Sequence, residues 1–394
     1  MRHDLGMTVA FDNVDIDRLR RRRTVKWSLY GPDVLAAWVA EMDFDVAPVV
    51  RAAIVDAVDR EDFGYIEADL SALTTACAAF LERAYGWVVP PTRIFPVADV
   101  LGGISTALDV FVEPGRAVVI PTPAYPPFFE VVELTGRPVA PAPMVRAAGR
   151  DTLDLDAIDA ALAGGARAVL LCSPHNPTGR VFAVEELAAL STIIDRHGAR
   201  VIADEVHAPL VYAPHRHVPY STVSEAAAAH TVTITSASKA FNLAGLKCAQ
   251  VIASNHADAA RWRELRVFET AGPTPIGVAA SVAAYRDGGA WLGELVGYLD
   301  GNRQLLGELL AARAPAIEYR APEATFLAWL DCTALGLDDP ARFFLDHAGV
   351  AVSDGPPFGS GCDQFVRCNF ATSRSLLEQI VTAMGVALEK VVAP

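Results

Sequence analysis

The sequence has no close pair of cysteines and no long apolar run. Its six cysteines are scattered without a C-x-x-C pair, so no metal site is expected and the thiols are predicted to be reduced, as in a cytoplasmic protein. No apolar run approaches the roughly 18 residues of a membrane-spanning helix. The first seventeen residues contain four aspartates and no apolar core, which argues against a secretory signal. Contact with a membrane is therefore not expected.

Basic residues are in the minority. The chain has 33 Lys and Arg against 47 Asp and Glu, a formal net charge of −14. Nucleic acids bind to basic protein faces, so this balance argues against a nucleic-acid partner. Hydrophobic residues make up 52% and charged residues 20% of the chain, as in ordinary globular enzymes. With 394 residues and no internal repeat, the chain is long enough for two or three domains.

The middle of the chain alternates apolar runs with helical patterns. Helices are predicted at 48–60, 70–85, 99–111 and 184–197, from apolar residues at helical spacing. Short and almost wholly apolar runs follow one another at 117–120, 166–172, 200–203 and 231–235. Buried strands that alternate with helices predict a mostly parallel sheet covered on both faces. Ligands bind at the ends of such strands.

The pattern changes after about residue 280. A long helix is predicted at 291–312, then strands at 318–320, 326–330, 350–353 and 364–369, and a last helix at 374–391. This alternation predicts a second, smaller α+β domain. We therefore expect three segments: an N-terminal arm that joins the small domain (1–47), a large domain (48–280) and a small C-terminal domain (281–394).

A lysine follows the last predicted strand of the large domain. Lys239 comes directly after the strand 231–235 and the small polar run Ser236-Ala-Ser238, and a second cation, Lys247, stands eight residues later. A lysine held there can form a Schiff base with an aldehyde cofactor, while hydroxyls and the second cation can hold a phosphate. Most lysines are simply solvated, so this motif depends on the rest of the chain.

Three further polar residues stand at comparable places. The turn 173–179 (SPHNPTG) presents the Asn176 amide, a good donor to an aromatic oxygen. Asp204 ends a strand and can pair with a protonated ring nitrogen. Arg367 lies in an apolar strand, and its guanidinium matches a carboxylate in two hydrogen bonds. Each residue alone has an ordinary interpretation, as a turn, a strand-end acid or a structural ion pair.

In this order and spacing, Asn176, Asp204, Lys239 and Arg367 resemble the fold-type I pyridoxal-phosphate (PLP) enzymes of the aminotransferase class I/II superfamily. The resemblance runs from about Lys26 to the C-terminus. It implies an α/β fold with a mostly parallel central sheet in a large PLP-binding domain and a smaller α+β C-terminal domain. Lys239 would carry the cofactor, Asp204 would contact its pyridine nitrogen, Asn176 would contact its phenolic oxygen and also the substrate, and Arg367 would bind the substrate carboxylate. The residues implied around the phosphate are Ser236, Ser238 and Lys247.

Within that superfamily the chain resembles the MalY/PatB branch of cystathionine β-lyases. The matching strings are Lys26-Trp27, 38–44 (WVAEMDF), 63–65 (FGY), 122–128 (TPAYPPF), 204–207 (DEVH) and 239–247 (KAFNLAGLK). His207, among the cofactor-binding residues, stands where ordinary aminotransferases carry a tyrosine.

The same resemblance assigns the remaining site residues. Tyr125 would stack on the cofactor ring, and the backbone amides of Val100 and Leu101 would bind its phosphate at a helix start. Tyr65 would reach the site of the neighbouring subunit, so that the active form would be a homodimer. Lys239, Tyr65 and Tyr125 form the implied catalytic set. Ala40 would line the substrate carboxylate pocket.

Three positions depart from the pattern of this branch. Glu41 stands where an aspartate is common, and Ala208-Pro209 replaces polar residues. Asp99 replaces a glycine at the entry to the phosphate loop. A carboxylate there would repel a phosphate unless it caps the helix and points away.

The resemblance implies β-elimination from an S-substituted L-cysteine such as cystathionine, which gives a thiol, pyruvate and ammonia. An aminotransferase would use the same residues. A specialised C–S lyase or an oxidative decarboxylase-deaminase acting on a bulky cysteine conjugate is a further alternative. A cofactor-sensing regulator would need an added DNA-binding region, for which the roughly 25 residues before Lys26 are too few. Specificity is expected to depend on the loops near Tyr30, Phe128, 208–211 and 356–358.

Overall fold

The computed structural model describes residues 11–147, 149–266 and 271–392, so the first ten residues of the predicted N-terminal arm lie outside it. The chain divides into two compact units. The larger unit takes Val46–His175 and Arg180–Ala290, and the smaller takes the described part of Met1–Asp45, Asn176–Gly179 and Trp291–Pro394. No helix among the described residues is long and apolar enough to cross a membrane.

The larger unit contains a seven-stranded sheet. Its spatial order is Ile94–Val97, Ala249–Ala253, Thr231–Thr235, Arg200–Asp204, Ala168–Cys172, Val118–Thr122 and Val139–Pro143. The last five strands of this order are mutually parallel, whereas Ala249–Ala253 runs antiparallel to both of its neighbours. The mostly parallel sheet is confirmed, and all four predicted strands are present with ends shifted by at most two residues.

Three strands of this sheet were not predicted. Two of them, Ile94–Val97 and Val139–Pro143, contain prolines and lie at the two edges of the sheet. Proline removes a ladder donor, so an edge is where a strand tolerates it. The third, Ala249–Ala253, runs antiparallel to both of its neighbours. The local apolar pattern alone did not distinguish it from a loop.

Helices cover both faces of the sheet. They are Pro48–Asp59, Ser71–Tyr85, Val100–Phe111, Pro127–Leu134, Leu155–Ala163, Val184–His197, Glu225–His230, His256–Arg263 and Pro275–Asp287, with short 3-10 turns at Pro91–Arg93, Tyr220–Thr222 and Ala244–Leu246. One buried cluster includes Ile104, Leu108 and Trp262, and a second includes Leu187 and Ile194. Because apolar side chains pack on both faces, the strands are almost wholly buried. A two-stranded hairpin pairs Val145–Ala147 with Arg150–Thr152.

The smaller unit is α+β. Its sheet has the order Glu318–Tyr319, Leu327–Asp331, Phe365–Asn369 and Ser353–Asp354, and Leu35–Ala36 pairs separately with Val350–Ala351. Its helices are Ile16–Arg20, Val25–Ser28, Gly289–Arg313, Pro340–Phe343, a π-helical turn at Phe344–Ala348 and Arg374–Val392, with 3-10 turns at Thr333–Leu335 and Pro356–Phe358. The predicted strand 350–353 proves to be two short strands with different partners.

Candidate active site

The predicted site residues are divided between the two units. Those in the larger unit are Tyr65, Val100, Leu101, Tyr125, Asp204, His207, Ser236, Ser238, Lys239 and Lys247, and those in the smaller unit are Ala40, Asn176 and Arg367.

Lys239 lies in a turn directly after the central strand Thr231–Thr235. The turn is held by Ser236, whose hydroxyl donates to the carbonyl of Cys248 at 2.7 Å and accepts the N–H of Ser238 at 3.0 Å. The Lys239 side chain is half-buried. The buried strand and the Ser236 bonds thus fix the backbone from which the amine extends.

Asp204 ends the neighbouring parallel strand, where it is paired in register with Ile234. Its side chain is buried, and Oδ1 accepts the N–H of Val206 at 3.0 Å. Burial raises the pKa of the Asp204 carboxyl to about 7, opposed by the Val206 hydrogen bond and the positive charge of Lys239. The parallel register therefore brings this acid within the electrostatic reach of Lys239.

The residues after Asp204 anchor the strand end in the core. Glu205 is buried, and its two oxygens contact Nε2 of His217 at 3.1 Å and the N–H of Tyr220 at 2.8 Å. His207 is also buried. His217 is buried as well, although it stands twelve positions after Glu205 in the sequence.

The helix Val100–Phe111 begins at Asp99. Asp99 Oδ1 accepts the N–H of Gly102 at 2.8 Å, and Oδ2 lies 2.7 Å from Nζ of Lys247. Val100 and Leu101 form the first turn, where backbone N–H groups lack partners within the helix. Asp99, which departs from the pattern of the branch, thus caps the helix and forms an ion pair with Lys247, the cation predicted to bind the phosphate.

The two predicted catalytic tyrosines differ in exposure. Tyr125 is half-buried, and its ring stands edge-on to the buried ring of Phe128 with centroids 5.4 Å apart. Tyr65 is fully exposed, and Phe63 beside it is 64% exposed. Large apolar side chains that are exposed close together are typical of a surface that contacts another molecule.

In the smaller unit, Arg367 is buried and held on several sides. Its Nη1 donates to Oδ1 of Asn176 at 3.0 Å, and Nη2 donates to Oγ of Ser353 at 3.1 Å and to the carbonyl of Trp38 at 3.2 Å. The guanidinium also lies over the ring of Phe358 at 5.0 Å. These contacts fix the plane of the guanidinium. A fixed plane is needed for two parallel hydrogen bonds to a carboxylate.

The loop that contains Ala40 is tied to the same strand. Asn369 Nδ2 donates to the carbonyls of Val39 and Glu41, both at 2.7 Å, and so spans Ala40. Sequence reasoning did not assign a role to Asn369 or Ser353. Asn369 lies two residues after Arg367, on the same face of the strand, and this spacing is the signal that could have identified it. Ser353 has no comparable local signal.

Known proteins are similar to this chain over most of its length. The family described as aminotransferase class I and II matches residues 38–384. The cystathionine β-lyase of Corynebacterium glutamicum is 40% identical over 366 residues, which cover 93% of this chain and 96% of that protein. The cystathionine β-lyase PatB of Bacillus subtilis is 32% identical, covering 92% of this chain and 97% of that protein. Among solved structures, the PLP-bound C–S lyase of Staphylococcus hominis in complex with L-cycloserine matches with a TM-score of 0.89 and 27% identity, covering 96% of this chain and 99% of that one.

Proposed function

We propose that this chain is a PLP-dependent carbon–sulfur β-lyase, because it belongs to the aminotransferase class I and II family and, within that family, to the MalY/PatB branch. The substrates would be water and an S-substituted L-cysteine similar to cystathionine, and the products a thiol, pyruvate and ammonia. The observation that carries this proposal is the buried Asp204 carboxyl beside the Lys239 amine, in a chain 40% identical to a cystathionine β-lyase.

The residues of the larger unit fit the cofactor. A protonated pyridine nitrogen needs a buried acid, and Asp204 is a buried carboxyl whose contacts are a backbone N–H and the charge of Lys239. An aldehyde needs a primary amine, which Lys239 supplies. A phosphate needs N–H donors and a cation, which the start of the helix Val100–Phe111 and Lys247 supply. These residues thus match the ring nitrogen, the aldehyde and the phosphate of PLP.

The bound cofactor supplies an electron sink for the negative charge that develops at the substrate Cα. Nζ of Lys239 takes the α-proton as the general base. The ionised Asp204 carboxylate would keep the pyridine nitrogen protonated, because a buried carboxylate and a cation beside it each favour the charged form of the other. Tyr125 would pack on the ring, and His207 would line the cofactor pocket beside Asp204.

Arg367 and Asn176 would orient the substrate. The Asn176 carbonyl oxygen is occupied by Arg367 at 3.0 Å, so its amide nitrogen points elsewhere and would donate to the phenolic oxygen. The Arg367 guanidinium would bind the α-carboxylate, with Ala40 forming part of that pocket. Holding the carboxylate fixes the α-hydrogen for removal by Lys239.

The phosphate would be bound by the amides of Val100 and Leu101, the Ser238 hydroxyl and Lys247. Ser236 would contribute by exchanging its acceptor, the Cys248 carbonyl, for a phosphate oxygen. On this proposal the larger unit is the PLP-binding domain, and the smaller unit is the C-terminal domain joined by the N-terminal arm.

A homodimer is proposed as the active form. Support comes from exposed apolar residues on the larger unit, namely Val55, Val58, Phe63 and Tyr65. Tyr65 would complete the site of the partner subunit. A cytoplasmic location is also proposed, because all six cysteines are buried thiols and disulfide-free proteins are typical of reducing compartments.

The test is to add L-cystathionine to the purified, cofactor-loaded protein and to measure pyruvate and free thiol with and without a keto acid. Equal amounts of pyruvate and thiol, released over many turnovers without keto acid, would support the lyase. Turnover that requires a keto acid would identify an aminotransferase instead. Cofactor binding without either reaction would indicate a different, bulkier cysteine conjugate as substrate.

A further inference from the structure

The helix start at Asp99 already holds a negative charge. Both carboxylate oxygens of Asp99 are used: one accepts the N–H of Gly102 at 2.8 Å, and the other pairs with the Lys247 ammonium at 2.7 Å. The N–H of Leu101 also attracts this carboxylate. The donors that the proposed function assigns to a phosphate therefore include two that Asp99 already attracts, Leu101 and Lys247.

An anion that binds at this helix start would meet the Asp99 charge. Partial burial favours the neutral acid, but the contacts with Lys247 and with the Gly102 and Leu101 amides outweigh it, so that the pKa of Asp99 lies below its usual range. The carboxylate is therefore ionised at neutral pH. A phosphate must either draw Lys247 away from Asp99 or remain close to a like charge. Either event weakens phosphate binding.

The ion pair can exchange partners. The side chains of Lys247 and Asp99 are 54% and 39% exposed, and exposed ion pairs contribute little to stability. Asp99 also bonds to Gly102, so a carboxylate released by Lys247 would still cap the helix. The geometry thus allows Lys247 to turn toward a phosphate while Asp99 stays at the helix start.

We propose that Asp99 competes with the cofactor phosphate for Lys247 and for the first-turn amides of the helix Val100–Phe111. This competition lowers the affinity of the protein for the phosphate. This inference rests on the proposed function, which places the phosphate at these donors. A glycine at this position, as the resemblance leads one to expect, would leave both donors to the phosphate. The cofactor of this protein would accordingly dissociate more readily than that of a relative without the carboxylate.

The test compares cofactor-free wild type with Asp99→Asn. Asparagine keeps a side-chain oxygen for the Gly102 N–H and is a good N-cap, but it carries no charge. The dissociation constants of PLP and of pyridoxal, which lacks the phosphate, are measured by the visible absorbance of the bound cofactor. Asp99→Asn is expected to bind PLP up to about fivefold more tightly, the upper end of the effect of an exposed charge pair, and to bind pyridoxal unchanged. The gain should shrink as salt is added.

Asp154 provides a matched control. It caps the helix Leu155–Ala163 by accepting the N–H of Ala157 at 2.9 Å, so Asp154→Asn makes the same chemical change at a helix start that has no assigned ligand. This variant should bind PLP as wild type does. Asp99→Ser, which also retains a capping oxygen, repeats the test if Asp99→Asn does not fold.

The outcomes separate the two proposals. Equal or weaker PLP binding by Asp99→Asn would overturn the inference and make Asp99 a residue that orients Lys247. Equal gains for PLP and pyridoxal would also overturn it, because the effect would not act on the phosphate. A wild-type protein that binds PLP without these differences leaves the proposed function intact. A wild type that binds no PLP at all would refute the proposed function itself.

Discussion

Nη1 of Arg367 donates to Oδ1 of Asn176 at 3.0 Å, although the two residues are 191 positions apart. One bond thereby fixes the orientation of two groups: the guanidinium that would bind the substrate carboxylate and the amide that would contact the cofactor. Because Arg367 is buried, a substrate anion there would be shielded from water, which strengthens a charged hydrogen bond.

Arg367→Lys is expected to lower kcat/KM with cystathionine by about 30- to 150-fold, or about 2–3 kcal/mol, because an ammonium cannot make the paired bonds of a guanidinium. Most of the loss should fall on KM if the contact is equally strong before and during reaction. Steady-state kinetics of the purified variant measure this. The control is Arg342→Lys, a change in an exposed helical ion pair with Asp346. A kcat/KM equal to that of wild type would contradict the role of Arg367.

Ser353 is expected to position Arg367 without touching the substrate. Ser353→Ala removes the acceptor of Nη2 at 3.1 Å and the bond from its hydroxyl to the Trp38 carbonyl at 2.7 Å. We expect KM to rise about two- to tenfold, as for the loss of one hydrogen bond, with little change in kcat. Ser375→Ala, on an exposed part of the last helix, should have no effect. A fall in kcat with unchanged KM would argue against a positioning role.

Asp204 makes the stability of the cofactor-free protein depend on pH. An aspartate in the unfolded chain titrates near pH 4, whereas burial raises the pKa of Asp204 in the fold to about 7. Between these values the unfolded chain releases a proton that the folded protein keeps. Stability due to this group therefore falls as the pH rises through that window.

Asp204→Asn removes this penalty. The cofactor-free variant is expected to be more stable than wild type at about pH 8, by on the order of 1–4 kcal/mol, with the difference vanishing toward about pH 4. Urea unfolding at several pH values measures it, and the exposed Asp56 changed to Asn is the control. A difference that grows toward acid would contradict the assigned burial effect. With cofactor bound, the same variant should lose activity, because it cannot hold the ring proton as a carboxylate does.

Variants of Tyr65 and Lys239 can show whether each active site contains residues from both subunits. If Tyr65 of one subunit completes the site of the other, Lys239→Ala and Tyr65→Phe should each be impaired alone. Mixed dimers would contain one site with both native residues, so that activity should reappear after the two variants are unfolded and refolded together. Light scattering should give twice the chain mass of 41.9 kDa. A monomer, or a dimer without restored activity, would contradict the proposed role.

Many residues of the candidate site can be assigned from the sequence because their signals are local. Lys239, Asp204 and Asn176 stand directly after apolar runs, and strand ends are recognisable from such runs. The strand 200–203, for example, was predicted within one residue of Arg200–Asp204. The helix 184–197 was predicted at the observed bounds because its apolar residues recur at helical spacing.

The sequence by itself thus determined four strands of the large sheet, the helices with a clear apolar period and the chemical types of the candidate site residues, since each depends on neighbours within a few positions. Only the tertiary structure decided the pairings: the antiparallel Ala249–Ala253, the proline-containing edges, the Ser353 and Asn369 contacts, and the Asp99–Lys247 ion pair. Asp99 and Lys247 are 148 positions apart. Whether a carboxylate caps a helix, repels a phosphate or pairs with a lysine depends on which distant side chain the fold places beside it, and no local pattern contains that information.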